Sequence, residues 1–334
     1  MSTPLPNFGR EFTPQAQLSL AAPGQPEVFA AVSDHFSSPA SNGSTEELKS
    51  GQEAEALSFL SERPVHTVIM SGLIRENGLE GPHSRGNFYA HRSVNGAIEG
   101  MALIGHATLF ETRSDHSIKP FARLASGIPG VSLVLGERDK VEKFWHYYSG
   151  HSGPPHYRRN ELLFEQRWPS SPVRVVPGLR PARLADLSLV VASHARMAEE
   201  ELGVNPLTTD DADGFQMRCE RRIRQGRVWV LIEKGRLIFK ADVVAATDAA
   251  NYIEGVYVNP EERSKGNGTR CLAQVSRNLL SQTQAVCLLV SEQNRVAQGL
   301  ARKAGFTVIS CYETIFLAER ARIFSAKTEH LTHV

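Results

Sequence analysis

The chain has only four cysteines in 334 residues, all in its C-terminal half. None has metal-ligand spacing, and Cys271, Cys287 and Cys311 sit in apolar contexts, so neither a disulfide framework nor a zinc site is predicted. No apolar run reaches the roughly 18 residues needed to span a bilayer. The first residues lack a basic region followed by an apolar stretch, so no signal peptide is read there. Charge of one sign is also missing. With 37 basic and 36 acidic residues the net charge is +1, which gives no bulk attraction to nucleic acid or anionic lipid. Aromatics make up 7%. None interleaves the basic stretch Arg218, Arg221, Arg222 and Arg224, which reads as an exposed helix face and not as a stacking surface. A reduced, cytoplasmic protein is expected, with no nucleic-acid or membrane partner.

What is present suffices for packed cores. Hydrophobic residues make up 41%, and the length suggests two domains. Residues 1–50 are rich in Pro, Ser, Gly, Ala and Gln and read as a disordered tail. Pro169-Ser-Ser-Pro172 and Pro177 mark 169–177 as a linker. That leaves an N-terminal domain over 53–168, a C-terminal one over 178–320 and a tail over 321–334.

The most informative segment is Val256-Tyr-Val-Asn-Pro-Glu-Glu-Arg-Ser-Lys-Gly-Asn-Gly268. An apolar strand ends at Asn-Pro, because proline has no ladder donor. Two glycines two residues apart then open a turn at a helix start, beside Arg263 and Lys265. Backbone N–H groups of Ser264, Lys265, Gly266, Asn267, Gly268 and Thr269 can converge there on an anion such as a pyrophosphate. The bland alternative is a glycine-rich turn without a ligand. After a helix over about 267–281 comes the strand Ala285–Val290. A second amphipathic helix led by Asn294 follows, and Gly305-Phe306 ends it. Upstream, Leu179–Leu187 reads as a short strand and a helix start, and a second helix covers about 211–225. Val228–Ile232 and Leu237–Ala245 form a hairpin across Glu233-Lys-Gly-Arg236.

This order of blocks over roughly 176–318 resembles the GCN5-related N-acetyltransferase (GNAT) family. The resemblance implies an α+β (mixed α/β) fold, in which a twisted mixed sheet flanked by helices holds acetyl-coenzyme A as co-substrate at a splay between two central strands. It implies that Val256, Tyr257 and Val258 pair with the pantetheine arm, that Arg263 and the turn to Thr269 hold the pyrophosphate, and that Asn294 bonds the pantetheine. Asn294 is equally readable as a plain N-cap. Histone-type members carry a general base where Glu254 stands, nine positions before Arg263; the alternative is a structural residue at a strand edge. Many members have a tyrosine acid at the place of Ala301. Tyr312 or Tyr257 substitutes for it here, or the thiolate leaves without an acid. The expected acceptor is a small-molecule amine, with no metal required and the oligomeric state left open. Glu199-Glu-Glu201 reads as a solvated helix face and His194 as a satisfied core histidine.

At a constant offset of 155, Ile98-Glu-Gly100 matches Ile253-Glu-Gly255, and Val131–Val141 parallels Val286–Val296. The N-terminal domain therefore reads as a degenerate acetyltransferase-like copy. Thr108, Glu111 and Arg113 stand in it where Arg263, Gly266 and Gly268 stand in the second. The layout resembles two-part bacterial proteins with an uncharacterised N-terminal domain before an acetyltransferase domain, and that of tandem-domain mycothiol synthases. Two functions follow from these readings: N-acetyl transfer to a primary amine, or a non-catalytic acyl-coenzyme A-binding sensor.

Overall fold

Hydrophobic periodicity and turn chemistry produce the same succession of elements twice. The structure, a computed structural model, describes residues 43–80, 86–149, 155–169, 175–202, 205–209 and 212–317. The first half comprises β1 (Ser44–Glu47), α1 (Glu53–Leu60), α2 (Pro64–Asn77), β2 (Gly86–Arg92), β3 (Ile98–Gly105), β4 (Ala107–Thr112), α3 (Ile118–Gly127), β5 (Leu133–Glu137), α4 (Arg138–Tyr148) and β6 (Tyr157–Gln166). The second comprises β7 (Arg180–Pro181), α5 (Leu187–Leu202), α6 (Ala212–Arg224), β8 (Val228–Glu233), β9 (Arg236–Ala246), β10 (Asn251–Val258), α7 (Asn267–Leu280), β11 (Val286–Ser291), α8 (Arg295–Ala304) and β12 (Thr307–Phe316). Local chemistry accounts for the boundaries. Pro64 opens α2 at a position where its missing N–H costs nothing. Lys234 and Gly235, both at positive φ, make the tight turn of the β8–β9 hairpin. Asn294 caps α8 and Gly305, at φ +104°, stops it.

The twelve strands form one mixed sheet in the order β1-β2-β3-β4-β5-β12-β6-β11-β10-β9-β8-β7. Among the described residues only β4–β5 and β10–β11 pair in parallel; the other ladders are antiparallel. The last strands of the two halves are exchanged. β6 pairs with β11 of the second half, and β12 returns to pair with β5 of the first. The sheet is thus continuous on both sides of the expected linker. Phe164 of β6 is fully buried in the core that α7 and α8 cover, with Val286, Leu288, Ala301 and Phe306. Removing a ring of this size from water is worth about 1.5–3 kcal/mol. On the opposite face, Val65 and Val68 of α2 pack against Leu163, Tyr252, Cys287 and Tyr312.

Several expectations need correction. Ser44–Glu47 pair with Tyr89–Arg92, and Leu48 is buried, so the residues expected to be a tail to position 50 include ordered structure from about 44 onward. Most of that tail, residues 1–42, the C-terminal tail and residues 170–174 of the linker lie outside the described residues. The repeat register at offset 155 matches the topology for Val131–Val141, which places β5 and α4 on β11 and α8, but not for Ile98-Glu-Gly100. Ile98-Glu-Gly100 lies on β3, which is antiparallel to both neighbours, whereas β10 has a parallel partner. The topological counterpart of β10 is β4, so Glu99 is not equivalent to Glu254. Thr108 and Glu111 lie inside that strand and not on a turn. Cys311 is exposed and not in an apolar context; Cys219, Cys271 and Cys287 are buried. No helix among the described residues is long and apolar enough to cross a membrane.

Candidate active site

The two parallel strands of the second half part company after two residues. β10 meets β11 only at Asn251–Val286 and Tyr252–Cys287. Beyond that point β10 stays with β9 up to Val258, and β11 stays with β6 up to Ser291. A cleft opens between them, and the β10 edge facing it has no strand partner among the described residues. Within the cleft β10 carries a bulge: three steps from Glu254 to Tyr257 oppose two from Asp242 to Lys240. Gly255 takes up the extra residue at φ +62°, a conformation costly for any residue with a side chain. Val256 and Val258 then pack toward α7 and α8, while Tyr257 buries among Val190, Val191 and Cys219.

The cleft leads to the turn before α7. The Asn259 side chain accepts from Glu261 N–H and donates to the Leu237 carbonyl, fixing where β10 ends. Ser264 and Gly266 lie at φ +63° and +79°. Gly266 is the N-cap residue of α7, and no side chain caps this helix, so its first N–H groups face outward with the positive end of the helix dipole. The two glycines do different work. A Cβ at Gly266 would meet nothing within 4 Å, whereas one at Gly268 would lie 2.7 Å from Leu300 Cδ1 and 2.8 Å from Val258 Cγ2. Gly266 keeps space open; Gly268 lets α7 seat against β10 and α8. Arg263, Lys265 and Arg270 surround the turn, all exposed. Arg263 Nε donates to the Val258 carbonyl at 3.2 Å and Arg270 donates to Asn267 Oδ1 at 2.6 Å. A carboxylate intrudes: Lys265 Nζ and Asn267 Nδ2 both donate to Glu262 Oε2, at 3.1 and 3.3 Å. On the far side of the cleft, Asn294 Oδ1 accepts from Ala297 N–H at 2.9 Å, so its oxygen serves as the α8 cap. Ala301 is buried in the core.

Glu254 is exposed on the β10 lip, directly opposite Asp242. Across the cleft, Glu161 of the exchanged strand β6 stands opposite Ser291. Burial pushes the Glu161 carboxyl up; Arg159 and the Thr314 hydroxyl oppose this, and Glu254 adds to it. Tyr312 is not brought to this cleft. It lies on β12 with β6 and β11 between it and β10. Its hydroxyl meets His66 Nδ1 at 2.9 Å, and its ring lines a small cavity with His66, Glu111, Glu137 and Tyr252. Burial raises its phenol well above the usual value, which makes it a weaker acid. The matching place in the first half is closed by the chain's own charges. Beyond the three β4–β5 pairs, Arg63 bridges Glu111 and Glu137 at 2.9 and 2.7 Å, and Lys140 bridges them at 2.6 and 3.0 Å.

Sequence reading missed a buried ion cluster beneath the bulge. Lys240 and Asp242 alternate on one face of β9 and are both buried, at 0% and 1% exposure. Asp242 Oδ2 lies 2.9 Å from Lys240 Nζ and 2.5 Å from His194 Nε2. His194 is thus satisfied, as expected, but among charged groups on β9 and not within a purely apolar core. Lys240 Nζ is also 3.0 Å from Nε2. The carboxylate at 2.5 Å assigns the proton to Nε2, which donates to Asp242 and leaves Nδ1 unprotonated; the Lys240 ammonium then bonds Asp242 and not the ring, and the assignment rests on the hydrogen-bond geometry. Burial would raise the Asp242 pKa, but Lys240 and His194 overcome it and hold the group below the usual carboxylate range. Burial and the Lys240 charge lower the His194 pKa against the pull of Asp242. The signal was present in the sequence as two charges, i and i+2, inside an otherwise apolar strand. Among the described residues no group of His, Cys, Asp or Glu is placed to hold a metal ion.

Comparison with known proteins agrees with this geometry. Residues 234–316, from the β8–β9 turn to the end of β12, match the family described as FR47-like protein. A GCN5-related N-acetyltransferase from Sphaerobacter thermophilus is similar over 82% of this chain and 94% of its own, at 14% identity and a TM-score of 0.54. A tandem GNAT protein from the clavulanic acid biosynthesis pathway is similar over 81% and 98%, at 15% identity and 0.51. A Drosophila protein matches over 82% and 98%, at 12% identity and 0.61. No curated protein matches the chain significantly in sequence. The fold is the GNAT acetyltransferase fold.

Proposed function

We propose that the chain is an N-acetyltransferase that moves the acetyl group of acetyl-coenzyme A to a primary amine of a small-molecule or amino-acid-like acceptor. The observation that carries this is the cleft between β10 and β11, which runs from a bulged, unpaired strand edge to the open N-terminus of α7. In this reading the N–H groups of residues 264–269 and the charges of Arg263, Lys265 and Arg270 hold the pyrophosphate. The pantetheine amides pair with the free edge of Val256, Tyr257 and Val258, and the Asn294 amide NH2 donates to them from the other wall. An N–H of the bulge polarises the thioester carbonyl, an effect worth about 3–4 kcal/mol of barrier.

The acceptor must arrive as a free amine. Deprotonating an ammonium of pKa about 10.4 at pH 7 costs roughly 4–5 kcal/mol. Glu254, exposed on the lip, takes that proton directly or through water. The test is thiol release from acetyl-coenzyme A with a set of primary amines, comparing wild type with Glu254→Gln. At pH 7 the variant should turn over about 10²–10⁴-fold more slowly with unchanged coenzyme affinity. The deficit should shrink as pH rises toward the acceptor's own pKa. Coenzyme binding without thiol release from any amine would point to a sensor.

A further inference from the structure

N-acetylation of an ammonium removes two protons from nitrogen, and Glu254 accounts for only the first. We propose that His194, oriented by Asp242, takes the second proton and returns it to the departing coenzyme thiolate. This rests on the acetyl-transfer reading of the same cleft.

The placement comes from Gly255. A Cβ built there would lie 3.0 Å from Asp242 Oδ2, 3.0 Å from Lys240 Nζ and 3.5 Å from His194 Cε1. The ion cluster is therefore packed directly against the backbone of the bulge, where the thioester carbonyl is placed in the proposed reaction. Asp242 and Lys240 are sealed in, but the His194 side chain keeps 15% of its surface exposed. Of the three groups, His194 alone keeps exposed surface, and its Cε1 lies against the bulge backbone. Asp242 and Glu254 are directly opposed across β9 and β10, so the cluster and Glu254 share one face of the sheet.

The electron and proton balance is complete without another reactant. Glu254 accepts the first proton from the ammonium and sheds it to solvent. The amine lone pair forms the C–N bond, and the carbonyl π pair moves to oxygen. The adduct nitrogen is now cationic and carries one proton too many, which passes to His194 Nδ1. As the oxyanion re-forms the carbonyl, the C–S bond breaks with its pair on sulfur, and the imidazolium gives its proton to that thiolate. Asp242 stabilises the transient imidazolium, and Lys240 keeps Asp242 ionised. The groups facing His194 are Asp242 and Lys240 from β9 and Arg222 and Phe215 from α6. The route supplies the acid that Ala301 cannot.

The test uses the full chain with acetyl-coenzyme A and the primary amine giving the fastest thiol release. His194→Gln should lower the maximal rate about 10²-fold or more with unchanged coenzyme affinity. That deficit should persist from pH 7 to 10, unlike the deficit of Glu254→Gln, because the proton is lost after attack. In His194→Gly, added imidazole should restore at least a tenth of the rate, which a structural role does not explain. Independently of turnover, the His194 Cε1–H resonance of the wild type should move on saturation with acetyl-coenzyme A. A resonance that stays put, or a His194→Gln enzyme as fast as wild type, would overturn the assignment. If wild type acetylates amines and only Glu254→Gln is slow, this inference falls and the function stands. If no amine is acetylated, both fall.

Discussion

At Gly266 the backbone sits at φ +79° with open space in place of a side chain, while Gly268 closes a contact between α7, β10 and α8. A single substitution separates these roles. Gly266→Glu adds a carboxylate where the proposed function places the pyrophosphate and forces a left-handed conformation on a residue with a Cβ, at about 1–2 kcal/mol. Coenzyme affinity by calorimetry should fall at least about 100-fold, since like charges brought together cost several kcal/mol. The fold should survive, because nothing lies within 4 Å of the site of the new Cβ. Undiminished affinity would remove the pyrophosphate from this turn. Gly266→Ala, with the strain but no charge, should lose far less.

At the scale of elements, two helices are fastened to the sheet by histidines that folding keeps neutral. His66 on α2 meets Tyr312 on β12, and His194 on α5 meets Asp242 on β9. Burial lowers both pKa values, assisted by Arg63 for His66 and by Lys240 for His194. The sign follows from linkage. A histidine with a depressed folded pKa gives stability that is present above the unfolded value of about 6.5. That stability is lost as pH falls through the folded value, because the unfolded chain takes the proton first. The melting temperature should therefore decline from pH 7 to pH 5, and His66→Gln should flatten part of that decline. A melting temperature constant across this window would contradict the neutral assignment. The β10 bulge belongs to this scale too, since Gly255 lets side chains of α5 and β9 pack against the β10 backbone.

For the whole molecule the decisive feature is the exchange of β6 and β12. Each half lends its last strand to the other, so cutting the chain at the apparent linker removes a central strand. A fragment of residues 175–334 would lose Phe164 and Leu163 from two cores and leave β11 without its β6 partner. It would also strip β12 of both its neighbours. Such unpaired central edges template aggregation. We expect the fragment to be insoluble or to melt without cooperativity, while the full chain gives a sharp transition. A soluble fragment with a cooperative melt would show that β12 can settle beside β11 in its own half.

Elements and the glycine turn before α7 were legible from sequence because they are encoded locally. Apolar periodicity, the Asn294 cap, the Gly305 stop, the Lys234-Gly235 turn and the glycines before α7 each act within a few residues. The cleft was legible only in part: the structure puts Glu254 on the β10 lip and the double-glycine turn at its end, but Tyr312 was read into a site from which two strands separate it. Tertiary structure alone decided which strand neighbours which. β6 and β12 both present apolar faces, and nothing local distinguishes a last strand that returns to its own half from one that crosses over. The same holds for His194, Lys240 and Asp242. Two of them are 46 residues apart in the chain, and only the fold, by burying them together under Gly255, turns three ordinary polar residues into one coupled group.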